Sequence, residues 1–84
     1  MNSKHRKTLA AIFAKPTAGA IVFKDVEALL LALGCTLTEG AGSRVRFDKD
    51  GAAFLCHRPH PGKEAKRYQI EQVREFIQQL GVMP

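Results

Sequence analysis

Between Phe54 and Arg67 the chain reads FLCHRPHPGKEAKR: His57 and His60 lie three residues apart, prolines flank the second, and cations follow. Histidine changes charge near neutral pH, so an imidazole here could take a proton from a ribose hydroxyl or pass one to a leaving oxygen. Arginine or lysine beside it would hold the extra negative charge of a phosphorane-like transition state. Residues 44 to 67 carry Arg44, Arg46, Lys49, Arg58, Lys63, Lys66 and Arg67 against Asp48, Asp50 and Glu64. A charge run alone describes many solvated surfaces. The reading therefore depends on whether the fold gathers these groups onto one face.

Other chemistries are harder to build from the same residues. Cys56, His57 and His60 are zinc-ligand types, but Cys56 and His57 are neighbours on a predicted strand and point to opposite faces. No metal site is expected, and a Cys–His nucleophile fails on the same geometry. Phosphate-loop and dinucleotide fingerprints are absent around Gly40 and Gly42, so no cofactor is implied. His5 lies near the terminus and receives no role.

The elements that must position the imidazoles follow from periodicity. Residues 4 to 14 form a short amphipathic helix with Leu9, Ile12 and Phe13 on one face, stopped by Pro16. Thr17 to Ala20 reads as a linker. A stronger helix runs from Lys24 to Leu33, with Val26, Leu29, Leu30 and Leu33 at helical spacing and Gly34 as its stop. Cys35 to Thr38 is a short strand candidate, and the glycines at 40 and 42 turn the chain into SRVRF, whose alternation marks a second strand. Residues 52 to 57, AAFLCH, form a third. Asp50-Gly51 between them is a favoured two-residue hairpin turn, because both residues tolerate positive φ.

That turn sets a register. If Lys49 faces Ala52, then Phe47 faces Phe54, Val45 faces Cys56, and Arg44 faces His57. One face becomes an apolar core, with Cys56 as an inert thiol; the other presents Arg44 beside His57 and Arg46 beside Leu55. A last helix from Tyr68 to Leu80 buries Ile70, Val73, Phe76, Ile77 and Leu80, and Tyr68 is read as core rather than as a base-stacking platform, with partial exposure open because it adjoins Arg67. The fold class is α+β: a two-layer sandwich of a three-stranded antiparallel sheet with helices on one face and an extra N-terminal helix.

Composition bounds the function. A chain of 84 residues with formal net charge +5 suits one small domain with a shallow site and a polyanionic partner, nucleic acid first. Cys35 and Cys56, without a CxxC pairing, read as free thiols of a reducing compartment. The apolar stretch Leu9 to Ala14 is shorter than a typical signal core, and Ala28 to Leu33 falls far short of the about 20 apolar residues a membrane helix needs. A cytoplasmic protein with no membrane partner is expected.

From about Phe23 to Val82 the chain resembles the HicA family of toxin–antitoxin ribonucleases. The resemblance rests on the order of an apolar helix ending in Gly34-Cys35, then Gly42-Ser43, an alternating strand and hairpin, Pro59-His60-Pro61 with Lys63-Glu64, and a closing helix. It divides the chain into residues 1–22, an N-terminal helical extension and linker, and 23–84, a HicA-like α-β-β-β-α domain. It implies a fold like that of double-stranded-RNA-binding domains, metal-independent cleavage of mRNA, and a HicB-type antitoxin that covers the active face. The family's usual catalytic histidine follows Gly-Ser, whereas this chain has Arg44 there, and arginine is a poor proton shuttle. The imidazole must then come from His57, opposite Arg44, or from His60, or the protein binds RNA without cutting it. The combined reading is an endoribonuclease toxin with His57, His60 and Arg44 in the catalytic site and Arg46, Arg58, Lys63, Lys66 and Arg67 along the RNA. The competing readings are a non-catalytic RNA-binding module and a protein-interaction domain with a basic docking face.

Overall fold

The structure, a computed structural model, describes residues 1–84. Helix α1 (Ser3–Phe13) is followed by α2 (Phe23–Ala32), strands β1 (Thr36–Glu39), β2 (Arg44–Lys49) and β3 (Ala52–His57), and helix α3 (Arg67–Gln79). The strands form one antiparallel sheet in the order β1-β2-β3. From α2 onward this is the α-β-β-β-α order of a double-stranded-RNA-binding-domain-like fold, as the family resemblance implied.

The hairpin has the register that its turn requires. Asp50 and Gly51 have φ of 51° and 82°, both left-handed, and this geometry matches the twist of the flanking strands. Arg44 therefore faces His57, Val45 faces Cys56, Phe47 faces Phe54 and Lys49 faces Ala52. Because side chains alternate, this one turn decides which residues enter the core. Val45, Phe47 and Phe54 point to the helical layer, where Phe54 stacks between Phe47 and Phe76 at centroid separations of 6.2 and 5.9 Å.

The helices complete the core through the stripes their periodicity announces. Phe23, Val26, Leu29 and Leu30 are the buried residues of α2, and Ile70, Val73, Phe76 and Ile77 are those of α3 with the polar Gln69. Gly34, at φ 97°, lets the chain leave α2 in a left-handed turn, and the Lys49 ammonium donates to the Leu33 carbonyl there. Tyr68 takes the exposed of the two placements its sequence position left open, at 56% exposure. It stands two places before Ile70, which puts it on the opposite side of α3 from the buried stripe.

Residues before α2 belong to the same core. Leu9 and Ile12 are buried with α2 and α3, and Arg74 of α3 donates to the Ile12 carbonyl at 2.9 Å and the Ala14 carbonyl at 3.4 Å. It thereby satisfies carbonyls left open at the end of α1. The segment leading into α2 is also tied to the one leading into α3: Ala65 N–H donates to Ile21 at 2.7 Å and Phe23 N–H to Lys63 at 2.9 Å. No helix of the protein is long and apolar enough to cross a membrane.

Phe47 is fully buried at the centre of the sheet, so Phe47→Ala should lower the unfolding free energy by about 3–5 kcal/mol. Urea denaturation measures this, and a loss well under 1 kcal/mol would show that the hairpin does not carry the core.

Candidate active site

The sheet face turned away from the helices is open. Arg44, Arg46, Leu55 and His57 stand on it, and with Thr38 they line a shallow groove of about 350 Å³. Arg44 and His57 are cross-strand partners, close enough for their side chains to act on one ligand. Leu55, 60% exposed, gives the groove an apolar floor between the two arginines and the ring.

His57 is held at three points. The Ser43 hydroxyl lies 3.2 Å from its Nδ1, and the backbone N–H of the following residue, Arg58, donates to the Ser43 carbonyl at 2.8 Å. On the other side, the His57 carbonyl accepts from Gln69 Nε2 at 2.8 Å. Gln69 is only 3% exposed, and its Oε1 accepts from the Lys66 N–H at 3.0 Å, so one amide joins the end of β3 to the start of α3. With Nδ1 engaged by a hydroxyl, the ring's Nε2 is the nitrogen left for a substrate. In the sequence Ser43 stands out only as part of Gly42-Ser43, with no role of its own, and Gln69 does not stand out at all. The hairpin register sets Ser43 opposite Arg58, not beside the His57 ring, and a glutamine at the start of a helix carries no signal of its own.

The cations divide into distinct environments. Arg44 makes no ion pair or side-chain hydrogen bond. Arg46 binds both carboxylate oxygens of Asp48 through Nε, at 2.8 and 3.0 Å, and this hydrogen bond holds the Asp48 carboxyl below the usual carboxylate range. Lys63 and Lys66 are exposed on the segment between β3 and α3, where Lys63 helps line a second cleft with Lys24, Glu27 and Arg58. Arg67 lays its guanidinium over Gly19, where an added methyl carbon would come within 3.1 Å of it.

Arg58 requires a correction to the phosphate-tracking role read from the sequence. Alternation beyond His57 turns its side chain to the helical side, where Nε donates to Glu27 at 2.6 Å and Nη1 bonds Glu39. These hydrogen bonds, first from Glu27 and then from Glu39, strengthen its hold on its proton. Arg58 ties α2, β1 and the end of β3 together, and its donors are spent on carboxylates instead of a polyanion. His60 lies exposed on the neighbouring segment; it neither lines the groove nor joins the hydrogen bonds around His57. Cys56 is half-buried on the helical side, and burial, with Glu27 nearby, pushes its thiol up to about 11.

A small α+β domain of the double-stranded-RNA-binding type, with an imidazole and a free guanidinium on its open sheet face, is thus the class that fold and site define. Residues 23–82 match the family model described as HicA toxin of bacterial toxin-antitoxin, and the chain belongs to that family. No curated protein and no solved structure matches it.

Two outcomes check this local chemistry. Gln69→Ala strands the Lys66 N–H and the His57 carbonyl and should cost about 1–3 kcal/mol of stability, measured by denaturation. A raised thiol pKa means that the reactive thiolate is scarce at pH 8 and grows about tenfold per pH unit until the pH nears 11. A disulfide reagent should therefore label native Cys56 far more slowly at pH 8 than it labels the unfolded chain; equal rates would mean that the thiol is not shielded.

Proposed function

We propose that this HicA-family protein is a toxin that cleaves mRNA as a metal-independent endoribonuclease, with His57 as the proton carrier in place of the family's histidine after Gly-Ser. The observation that carries the proposal is the pairing of Arg44 with His57 on one open face, the ring anchored through Ser43. A ribose 2′-oxygen attacks the adjacent phosphorus while its proton passes to His57 Nε2. The bond to the 5′-oxygen breaks, and that oxygen takes a proton from His60 or from water. The products are a 2′,3′-cyclic phosphate and a 5′-hydroxyl.

Arg44, permanently charged and without an internal partner, stabilises the charge that builds on the phosphoryl oxygens. Ser43 Oγ accepts from Nδ1–H, which selects the tautomer whose Nε2 is free to take the proton and keeps the ring in place once it is charged. Arg46, Lys63, Lys66 and Arg67 contact RNA phosphates around the groove and give binding a strong salt dependence. A HicB-type antitoxin neutralises the toxin by covering this face, and the protein acts in the cytoplasm.

The replacement of histidine by Arg44 favours one alternative, an RNA-binding module that holds phosphates without cutting. Purified protein incubated with RNA in the presence of a chelator separates the two. Cleavage ending in cyclic phosphates is expected, and His57→Ala should lower its rate by about 100-fold or more while the melting temperature is kept. Arg44→Ala should cost about 100-fold. His60→Ala lowers the rate only if His60 is the second proton carrier. Salt-sensitive binding without any cleavage product would replace the enzyme reading with the module.

A further inference from the structure

Strand β3 is an edge of the sheet, and its free side can be read from the phase of the hairpin. In a two-residue hairpin the residues flanking the turn, here Lys49 and Ala52, exchange both backbone hydrogen bonds, and bonded pairs then recur at every second position. The Arg58 N–H donating to the Ser43 carbonyl, one step past Arg44 and His57, fixes the same phase at the far end. Phe54 and Cys56 therefore spend their backbone groups on β2. Ala53, Leu55 and His57 turn theirs outward.

Of these outward groups only the His57 carbonyl has a partner, the amide of Gln69. No backbone hydrogen bond outside the hairpin ladder involves Ala53 or Leu55, and both side chains are exposed. Edge strands are ordinarily guarded by charge, proline, a bulge or short length. At the opposite edge β1 has four residues and ends in Glu39, bound to Arg58. Strand β3 has six residues, AAFLCH, with no lysine, carboxylate, glycine or proline. Beside it runs a groove of about 210 Å³ between Ala53, Phe54 and Leu55 and the α3 residues Gln72, Glu75, Phe76 and Gln79.

We infer that β3 pairs antiparallel with β3 of a second copy about a two-fold axis, joining two sheets into one of six strands. The occupied His57 carbonyl selects the register: Ala53 faces Leu55 of the other copy, so that their four unpaired N–H and four unpaired C=O groups bond one another and the His57–Gln69 bond is left intact. Such a contact uses the same patch on both copies, as two-fold symmetry requires. Phe54 then lies opposite its counterpart beside the groove roofed by α3, whose polar lining is Gln72, Gln79 and the single carboxylate Glu75. The net charge of +5 does not forbid this. The arginines of the open face stand on β2, three strand spacings or roughly 14 Å from those of the second copy, beyond the screening length of about 8 Å at physiological salt. Both cationic faces lie on the same side of the joined sheet.

Sedimentation equilibrium over a concentration series provides the test, with Ala53→Pro and Leu55→Lys as variants. Proline at 53 removes a donor that faces outward and leaves the ladder to β2 complete; lysine at 55 charges the edge. The wild type should approach twice the chain mass at high micromolar concentration, and both variants should remain at the mass of one chain with unchanged circular dichroism. If Ala53→Pro unfolds, Leu55→Lys and the amide exchange of Ala53 and Leu55 decide, since pairing slows exchange of these two amides as concentration rises. A wild type that stays monomeric throughout, or a folded variant that still dimerises, overturns the inference. None of these readouts involves RNA, so either result leaves the cleavage proposal to its own experiment.

Discussion

Everything on the open face depends on two residues that accept a left-handed backbone, Asp50 and Gly51. A two-residue turn admits one register, and a slip of β3 by one place against β2 would send Phe54 and Cys56 into water and Leu55 and His57 into the core. The register that buries the aromatic stack is also the one that sets a guanidinium across from an imidazole. Core and candidate site are two sides of a single constraint. The site has no stability of its own to lose while Phe47 and Phe54 remain packed.

What could be read from the sequence follows from this constraint. Period-two alternation in β2 and β3, with an Asp-Gly turn between them, reaches across only a few residues, so local chemistry decides it. The helical stripes of α2 and α3 are similarly local. Arg58 was misplaced because the sequence reading stopped at the end of the strand; one more step of the alternation already turns it to the helices, although its carboxylate partners on α2 and β1 come only from the tertiary fold. Ser43 and Gln69 were out of reach for the same reason. Each is defined by a hydrogen bond that spans 12 or 14 residues of chain, and neither residue type signals where it will point.

Membership of the HicA family and the local geometry bear on different questions. The family says what kind of system the protein belongs to; the geometry says how this chain can work with Arg44 where a histidine usually follows Gly-Ser. Moving the imidazole one strand over keeps it within reach of the same phosphate position, because cross-strand neighbours lie about 5 Å apart. Under the proposed mechanism the arginine becomes an asset: one group would move protons while the other stays charged. On the proposed mechanism, the roles that one histidine would combine are divided between two strands.

Arg74 gives the segment outside the family match a structural meaning. Its guanidinium reaches back across more than half the chain to hold the last carbonyls of α1, while Leu9 and Ile12 fill the space between α2 and α3. A shortened chain beginning at Phe23 would keep every residue of the cationic face, yet it would expose an oily seam along two helices and leave a guanidinium with nothing to grip. The first helix is therefore a wall of the house, although the rooms in use lie on the other side.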